Sequence, residues 1–252
     1  MSGSAEPKPQ EGPVKRAVRF WLPVIILVLF VRTILFQPFH IPSGSMKATL
    51  LIGDSLFVSK YSYGYSRYSL PFSPPLFSGR ILASSPQRGD IVVFRSPHDP
   101  SSDLIKRLIG LPGDRVQMIG GHLHLNGTPV ERERIEDFLD SEEVPGRFIR
   151  VRRWRETLPG GRSYTTLDLV ERGPLDDTPV YEVPPGSYFM MGDNRDDSTD
   201  SRVLDEVGYV PFENIVGRAE IIYFSIGDGA AAWQIWRWPT ALRLRRFFTI
   251  LR

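Results

Sequence analysis

Ile41-Pro42-Ser43-Gly44-Ser45-Met46 divides the chain in two. The run that is apolar enough to cross a membrane lies before it, and the chain beyond it reads as β structure. Within the hexapeptide two serines flank a glycine, and a proline precedes them. Pro42 fixes one φ angle. Gly44 frees the backbone and lets a substrate come close. Successive N–H groups in such a turn can converge on one oxyanion. These are the needs of a tight, exposed turn holding a nucleophilic hydroxyl. Pro, Ser and Gly also make ordinary turns, so the meaning of this one depends on the rest of the chain.

Before the turn, the 20 residues Ala17 to Phe36 match the length that spans a bilayer core, about 20 residues. Arg32 lies near one end, where it can snorkel to the headgroups. Pro23 is expected in the first turns, where a helix tolerates proline best. A cleavable leader is the competing reading, but no small-x-small site follows, and Phe36-Gln37-Pro38-Phe39-His40 is bulky. The expectation is a retained anchor over 17–36. Basic residues on its N-terminal side put residues 1–16, a disordered segment, in the cytoplasm and everything after residue 38 outside.

After the turn, Ser55–Ser59, Asp90–Arg95, Leu104–Ile109 and Arg115–Ile119 are short β-branched or aromatic runs bounded by turn residues. Asn126-Gly127 is a hairpin signal. Tyr61–Pro86 is rich in Tyr, Ser and Pro without a period and reads as a long loop. Residues 131–145 are charged and read as solvated. Phe148–Arg155 and Ser163–Val170 are strands joined at Pro159-Gly160-Gly161, Tyr188–Asp193 returns to the core, and Ile221–Ser225 is the last core strand. The expected fold is mainly β: a catalytic core of 37–119 and 186–226, a strand-rich accessory subdomain at 120–185, and a basic, Trp-rich membrane-surface tail at 227–252.

The net charge of +2 is uneven: +2 over residues 1–19, −5 over 20–232 and +5 over 233–252. An acidic middle argues against nucleic acid as partner. Absence of cysteine removes disulfides, thiolate nucleophiles and Cys-type metal sites. His122 and His124 would share one strand face, with no further ligand at metal-like spacing.

A serine nucleophile needs a base. The four histidines sit in poor contexts, and lysine is the known alternative once burial lowers its pKa. Lys106 lies inside an apolar run with Arg107 beside it. Strand neighbours point to opposite faces, so one is expected to turn inward and the other to meet water; periodicity does not say which.

Ser43-Gly44-Ser45-Met46 behind an anchor, Arg88-Gly89-Asp90-Ile91-Val92-Val93-Phe94, Lys106-Arg107-Leu108-Ile109-Gly110-Leu111-Pro112-Gly113-Asp114, and Gly192 through Arg202 (GDNRDDSTDSR) occur in that order. Together they resemble the sequence boxes of bacterial type I signal peptidases, membrane-bound Ser/Lys proteases that remove signal peptides. The resemblance spans the anchor and roughly 39–60, 88–118 and 186–224; it leaves 61–87 and 120–185 uncovered. It implies Ser45 as nucleophile and neutral Lys106 as general base. It implies an oxyanion hole of the Ser45 N–H and Ser43 hydroxyl, with Ser198 bonded to the lysine, and Asp193, Arg195, Asp200 and Arg202 as charged support. It implies a coiled β-sheet on which the substrate adds as a strand, with Phe39, Ile41, Met46, Leu50, Leu56, Val93 and Ile105 at the shallow pockets. It implies no metal or cofactor. The implied setting is the inner membrane, with the catalytic domain outside the cytoplasm and the partners being signal peptides of exported preproteins, the lipid bilayer and the export machinery. Two positions depart from the family pattern: Asp197, where Asn is common, and Leu104, where an aromatic is often seen. The rivals are a Ser/Lys protease maturing a pilus, an autocleaving repressor, which the anchor disfavours, and a non-catalytic scaffold for exported chains.

Overall fold

The computed structural model describes residues 12–140, 148–227, 229–230 and 233–251. The expectation of disorder over 1–16 therefore falls mostly outside the described residues, as does the end of the charged segment expected at 131–145. Pro13 opens α1 (Pro13–Phe30), with its fixed φ suited to a first helical position. A π-helical turn, Val31–Leu35, continues it, and the two make 23 residues with no buried side chain. A run of this composition in lipid can pair its backbone only within itself, which a helix achieves. The helix begins at Pro13, so residues 13–16 are helical where disorder was expected. Pro23 is consequently interior rather than in the first turns. It deprives the carbonyl four residues earlier of its partner, a loss that membrane helices tolerate. Phe36, expected as the last anchor residue, is already extended.

The strands in chain order are β1 (Phe36–His40), β2 (Asp54–Ser59), β3 (Ile91–Arg95), β4 (Asp103–Gly110), β5 (Arg115–Ile119), β6 (His122–Leu125), β7 (Thr128–Pro129), β8 (Glu131–Asp140), β9 (Ile149–Thr157), β10 (Ser163–Asp168), β11 (Tyr181–Glu182), β12 (Ser187–Met191), β13 (Val210–Pro211), β14 (Ile215–Ser225) and β15 (Thr249–Ile250). The main sheet runs β1-β2-β14-β3-β4-β12-β13, with β15 also on β14. All these pairs are antiparallel. The register of β14 shifts between Ile215 and Gly217, Ala219 and Ile221, and Ile222 and Phe224. Such bulges bend a strand and add twist, which lets one 11-residue strand serve both β2 and β3 while the sheet curls. Two smaller sheets, β10-β9-β8 and β11-β5-β6-β7, make the accessory region. Asn126 and Gly127 both take positive φ in the β6–β7 turn, as a two-residue hairpin demands.

Three segments gain structure here that the sequence left unspecified. Residues 131–140 are a strand, because their charges find partners across the ribbon: Arg155 pairs with Glu133 at 2.8 Å, and Arg132 lies 4.0 Å over the Trp154 ring. The 61–87 segment is ordered by Arg80, whose guanidinium donates to the carbonyls of Tyr63, Gly64, Phe212 and Ile215. The tail folds back on the domain and adds the exposed two-residue strand β15 to β14, after Ile221–Ser225 as the last core strand. Arg246 binds Asp54 at 2.6 Å and Arg243 donates to the Ile52 carbonyl, so these arginines are engaged by protein. Trp233, Ile235, Trp236, Leu244 and Phe248 remain exposed.

Candidate active site

The Ile41–Met46 segment leaves β1 and turns back under the sheet. Its Ile41 exchanges backbone bonds with Gly53 and Asp54, and its Ser45 carbonyl accepts from the Asn194 N–H at 3.1 Å. These bonds hold Ser45 against β4. Lys106 Nζ donates to Ser45 Oγ at 2.6 Å. Lys106 is 4% exposed and Ser45 8%. Burial pushes the lysine pKa below its ordinary value; Asp200, Asp197 and Asp193 pull it up, Arg202 adds to the lowering, and burial prevails. A lysine so placed can be neutral where an exposed one is charged, and so can take a proton from the hydroxyl it touches. Ser43 Oγ lies 3.5 Å from Ser45 Oγ.

Gly44 has no left-handed φ. Its small size matters instead, since a Cβ there would meet Asp197 Oδ2 and Lys47 Cε at 3.2 Å. Gly192 is under tighter constraint. A Cβ on it would fall 2.2 Å from Ser198 Oγ and 2.6 Å from the Ser45 carbonyl oxygen. Ser198 is thus in the site, but its hydroxyl bonds to no described residue, so the expected bond to Lys106 is not formed. The side chain packs against the Gly192 backbone while the lysine donates to Ser45.

The strand rule that one of Lys106 and Arg107 meets water fails. Arg107 is 1% exposed, because burial along β4 from Lys106 to Gly110 is continuous. Both faces of the sheet are covered. Arg107 donates through Nε and Nη2 to Asp193 at 2.7 Å each and through Nη1 to the Gly89 carbonyl, and it lies 4.3 Å over the Tyr164 ring. Burial opposes its charge, yet Asp193 outweighs burial and holds its pKa above the ordinary value. Asp200 chelates Arg202 at 2.8 and 2.9 Å and accepts from the Gly192 N–H. Burial alone would push its carboxyl up; Arg202, that N–H and Lys106 bring it below the ordinary range. Arg195 pairs with Glu156 at 2.5 Å, and Tyr164 donates to the same carboxylate at 2.7 Å.

Arg107, Glu156 and Tyr164 are the support residues that sequence reasoning missed. Glu156 and Tyr164 lie in the accessory sheet, outside the recognisable boxes, so no motif pointed to them. That sheet also bonds directly to the 192–202 segment: the Leu167 N–H donates to the Asp193 carbonyl, and the Arg195 N–H to the Leu167 carbonyl. A buried Lys47–Asp140 pair at 2.7 Å ties the end of β8 to the residue two beyond Ser45.

All seven expected pocket residues fall in one cluster. Ile41, Met46, Leu50, Leu56 and Val93 are core side chains within it, at most 2% exposed; only Phe39 and Ile105 keep part of their surface. One edge of β4 beside Lys106 is open. There β3 pairs along Asp103–Arg107, whereas β12 pairs only from Arg107 to Gly110. His122 and His124 lie outside the site, on β6.

Comparison with known proteins finds relatives over most of the chain. A family model described as signal peptidase, peptidase S26, matches residues 14–224. Signal peptidase I of Rickettsia massiliae (strain Mtu5) is 44% identical over 242 residues, covering 89% of this chain and 88% of its own. Signal peptidase I of Rickettsia typhi (strain Wilmington) is 43% identical, with 89% of each chain covered. A solved signal peptidase I from Enterococcus faecalis V583 is 31% identical, covering 54% of this chain and 97% of that one, with a TM-score of 0.31.

Proposed function

The chain belongs to the signal peptidase family, peptidase S26, and from that membership we propose that it is a membrane-anchored serine endopeptidase that removes signal peptides from exported preproteins. The observation that carries the mechanism is the 2.6 Å contact between buried Lys106 Nζ and Ser45 Oγ. Neutral Lys106 takes the hydroxyl proton as Ser45 Oγ attacks the scissile carbonyl. The oxyanion is met by the Ser45 N–H, which no described residue accepts, and by the Ser43 hydroxyl. The protonated lysine then gives its proton to the leaving amine; water, deprotonated by the same lysine, attacks the acyl carbon, and the lysine returns that proton to Ser45 Oγ as the ester bond breaks.

The substrate enters as an extended strand along the open edge of Asp103–Ile105. Phe39 and Ile105 present surface to its small side chains, with the more buried members of their cluster as backing. Asp193, Arg195, Asp200 and Arg202 hold geometry and touch no reacting atom; Ser198 packs against Gly192 beside the Ser45 carbonyl. The reading puts α1 across the inner membrane with its N-terminus in the cytoplasm. Signal peptides, the bilayer and the export machinery are then the partners of a domain facing the export space.

The test is a cleavage assay on detergent-solubilised protein and its Ser45→Ala variant, each given a preprotein with an Ala-x-Ala site. Cleavage at that site by the parent alone is expected. Equal cleavage by the variant removes Ser45 as nucleophile, and no cleavage by either moves the weight to a scaffold for exported chains.

A further inference from the structure

A cavity of about 540 Å³ opens where the outer end of the anchor meets the 61–87 segment. It contains neither Ser45 nor Lys106. Its wall includes Leu29 and Arg32 from the anchor, Lys60 just after β2, Tyr68 and Phe72 from the long loop, and Arg95 at the end of β3. The signal peptidase boxes account for none of the loop residues.

Depth comes first. Leu29 belongs to the spanning helix, so a side chain sharing its wall lies near the boundary of hydrocarbon and headgroups. Phe72 does so, held in a turn in which it and Ser73 take positive φ, and it is fully exposed. A bare phenylalanine at that level faces lipid, where its apolar surface costs nothing.

Charge comes second. Arg32 makes no hydrogen bond or ion pair with a described residue. Lys60 is buried in the wall, its Nζ donating to the Ser69 carbonyl at 2.6 Å. Burial and then Arg32 push the Lys60 pKa down to about 8, with Asp103 opposing. The cavity therefore holds cations close enough to repel one another. The acid in its wall, Asp103, is bonded to Arg95 at 3.0 Å. A phosphate between Arg32 and Lys60 would relieve that repulsion, and only a phosphate carrying an acyl chain would also use Leu29 and Phe72.

We propose that this cavity binds one anionic glycerophospholipid, its phosphate between Arg32 and Lys60 and its acyl chain along Leu29 and Phe72. The site gives the 61–87 loop a role: it closes a lipid seat at the foot of the catalytic domain and sets the domain's height on the bilayer. The inference rests on α1 being a membrane span.

The test uses the full chain reconstituted in phosphatidylcholine vesicles with a minor fraction of spin-labelled lipid, either phosphatidylglycerol or phosphatidylcholine. The readout is the motionally restricted fraction of each label. Phosphatidylglycerol is expected to be restricted in preference, and Arg32→Gln to lower that preference about fivefold, the worth of one cation at a lipid surface. Arg32 is exposed, so this variant keeps the fold; Lys60→Gln is expected to act in the same direction. Arg245→Gln, a surface arginine in the tail, is expected to leave the preference intact; loss there would mean diffuse charge and overturn the site. An unchanged preference in Arg32→Gln also overturns it. Glycerol phosphate in the buffer is expected to displace nothing; if it displaces the labelled lipid, the cavity takes soluble phosphates and the lipid assignment falls. Alkaline extraction in parallel separates the premises. Protein that washes off membranes removes the anchor reading, whereas protein that stays embedded without lipid preference removes only the site.

Discussion

Replacing Arg107 with Met tests the charged layer under the active site. The guanidinium is buried and makes three bonds of 2.7 Å, two to Asp193 and one to the Gly89 carbonyl. Methionine fills much of the volume, but Asp193, also buried, keeps only Thr49 as a side-chain donor among the described residues. Removing one partner of a buried ion pair costs about 3–5 kcal/mol. For a chain of this length each kcal/mol moves Tm by about 2–4 °C, so a fall of about 6–20 °C is expected. Activity should fall with it, because the Asn194 N–H that grips the Ser45 carbonyl is next in the chain to Asp193. The assay is calorimetry of the full chain in detergent at one fixed scan rate, since unfolding of such proteins is commonly irreversible. The double variant Arg107→Met, Asp193→Leu removes the stranded carboxylate and is expected to melt above the single variant. A single-variant shift under about 2 °C, less than one kcal/mol on this scale, or a double variant that melts lower still, would refute the reasoning.

The remaining predictions concern the same layer. Cleavage should rise from acid toward alkaline pH as Lys106 loses its proton, because its pKa in the folded chain lies below 10.5; a flat kcat/KM profile across roughly pH 6–9 would count against Lys106 as base. The same shift makes the unfolded chain bind more protons between the folded pKa and 10.5, so stability should rise with pH over that interval in the parent and not in Lys106→Met. Asp197 favours the charged lysine, so Asp197→Asn should move the rising limb of activity to lower pH; a move to higher pH would contradict the electrostatic reading. Gly192→Ala should displace the Ser45 carbonyl or Ser198 and cost about 10²-fold in kcat/KM, and near-parent activity would mean that the close packing is not needed. Glu156→Gln strands Arg195 in the interior and should cost about 3–5 kcal/mol by the same calorimetry, although Glu156 lies outside every recognisable motif; an unshifted Tm would show that the accessory sheet does not support the site.

Much of this could be read before folding was considered. The anchor was legible because lipid accepts only a long apolar run, and its position was misjudged by a few residues because helix ends depend on backbone pairing rather than hydrophobicity. Strands β2 to β5 were legible as β-branched runs between turn residues. β8 was not, because Glu131, Arg132, Glu133 and Arg134 look solvated until β9 supplies Arg155 and Trp154 across the ribbon. Ser45 and Lys106 stood out through the order of four motifs, and the described site has them in contact. The Ser198 bond was expected from the same resemblance and is not formed, since a hydroxyl's partner depends on local packing.

The sequence by itself determined what each segment must avoid or seek: lipid for the apolar run, sheet pairing for the short strands, and a buried setting for the lysine if it is to act as a base. Tertiary structure alone decided that Lys106 and Arg107 could both be buried, because alternation assigns faces but does not say how many of them are covered. It alone paired Arg107 with Asp193 across 86 positions and Arg246 with Asp54 across 192. Such pairs leave no periodic trace, since their energy depends on two charges losing water together. That happens only once distant strands have packed.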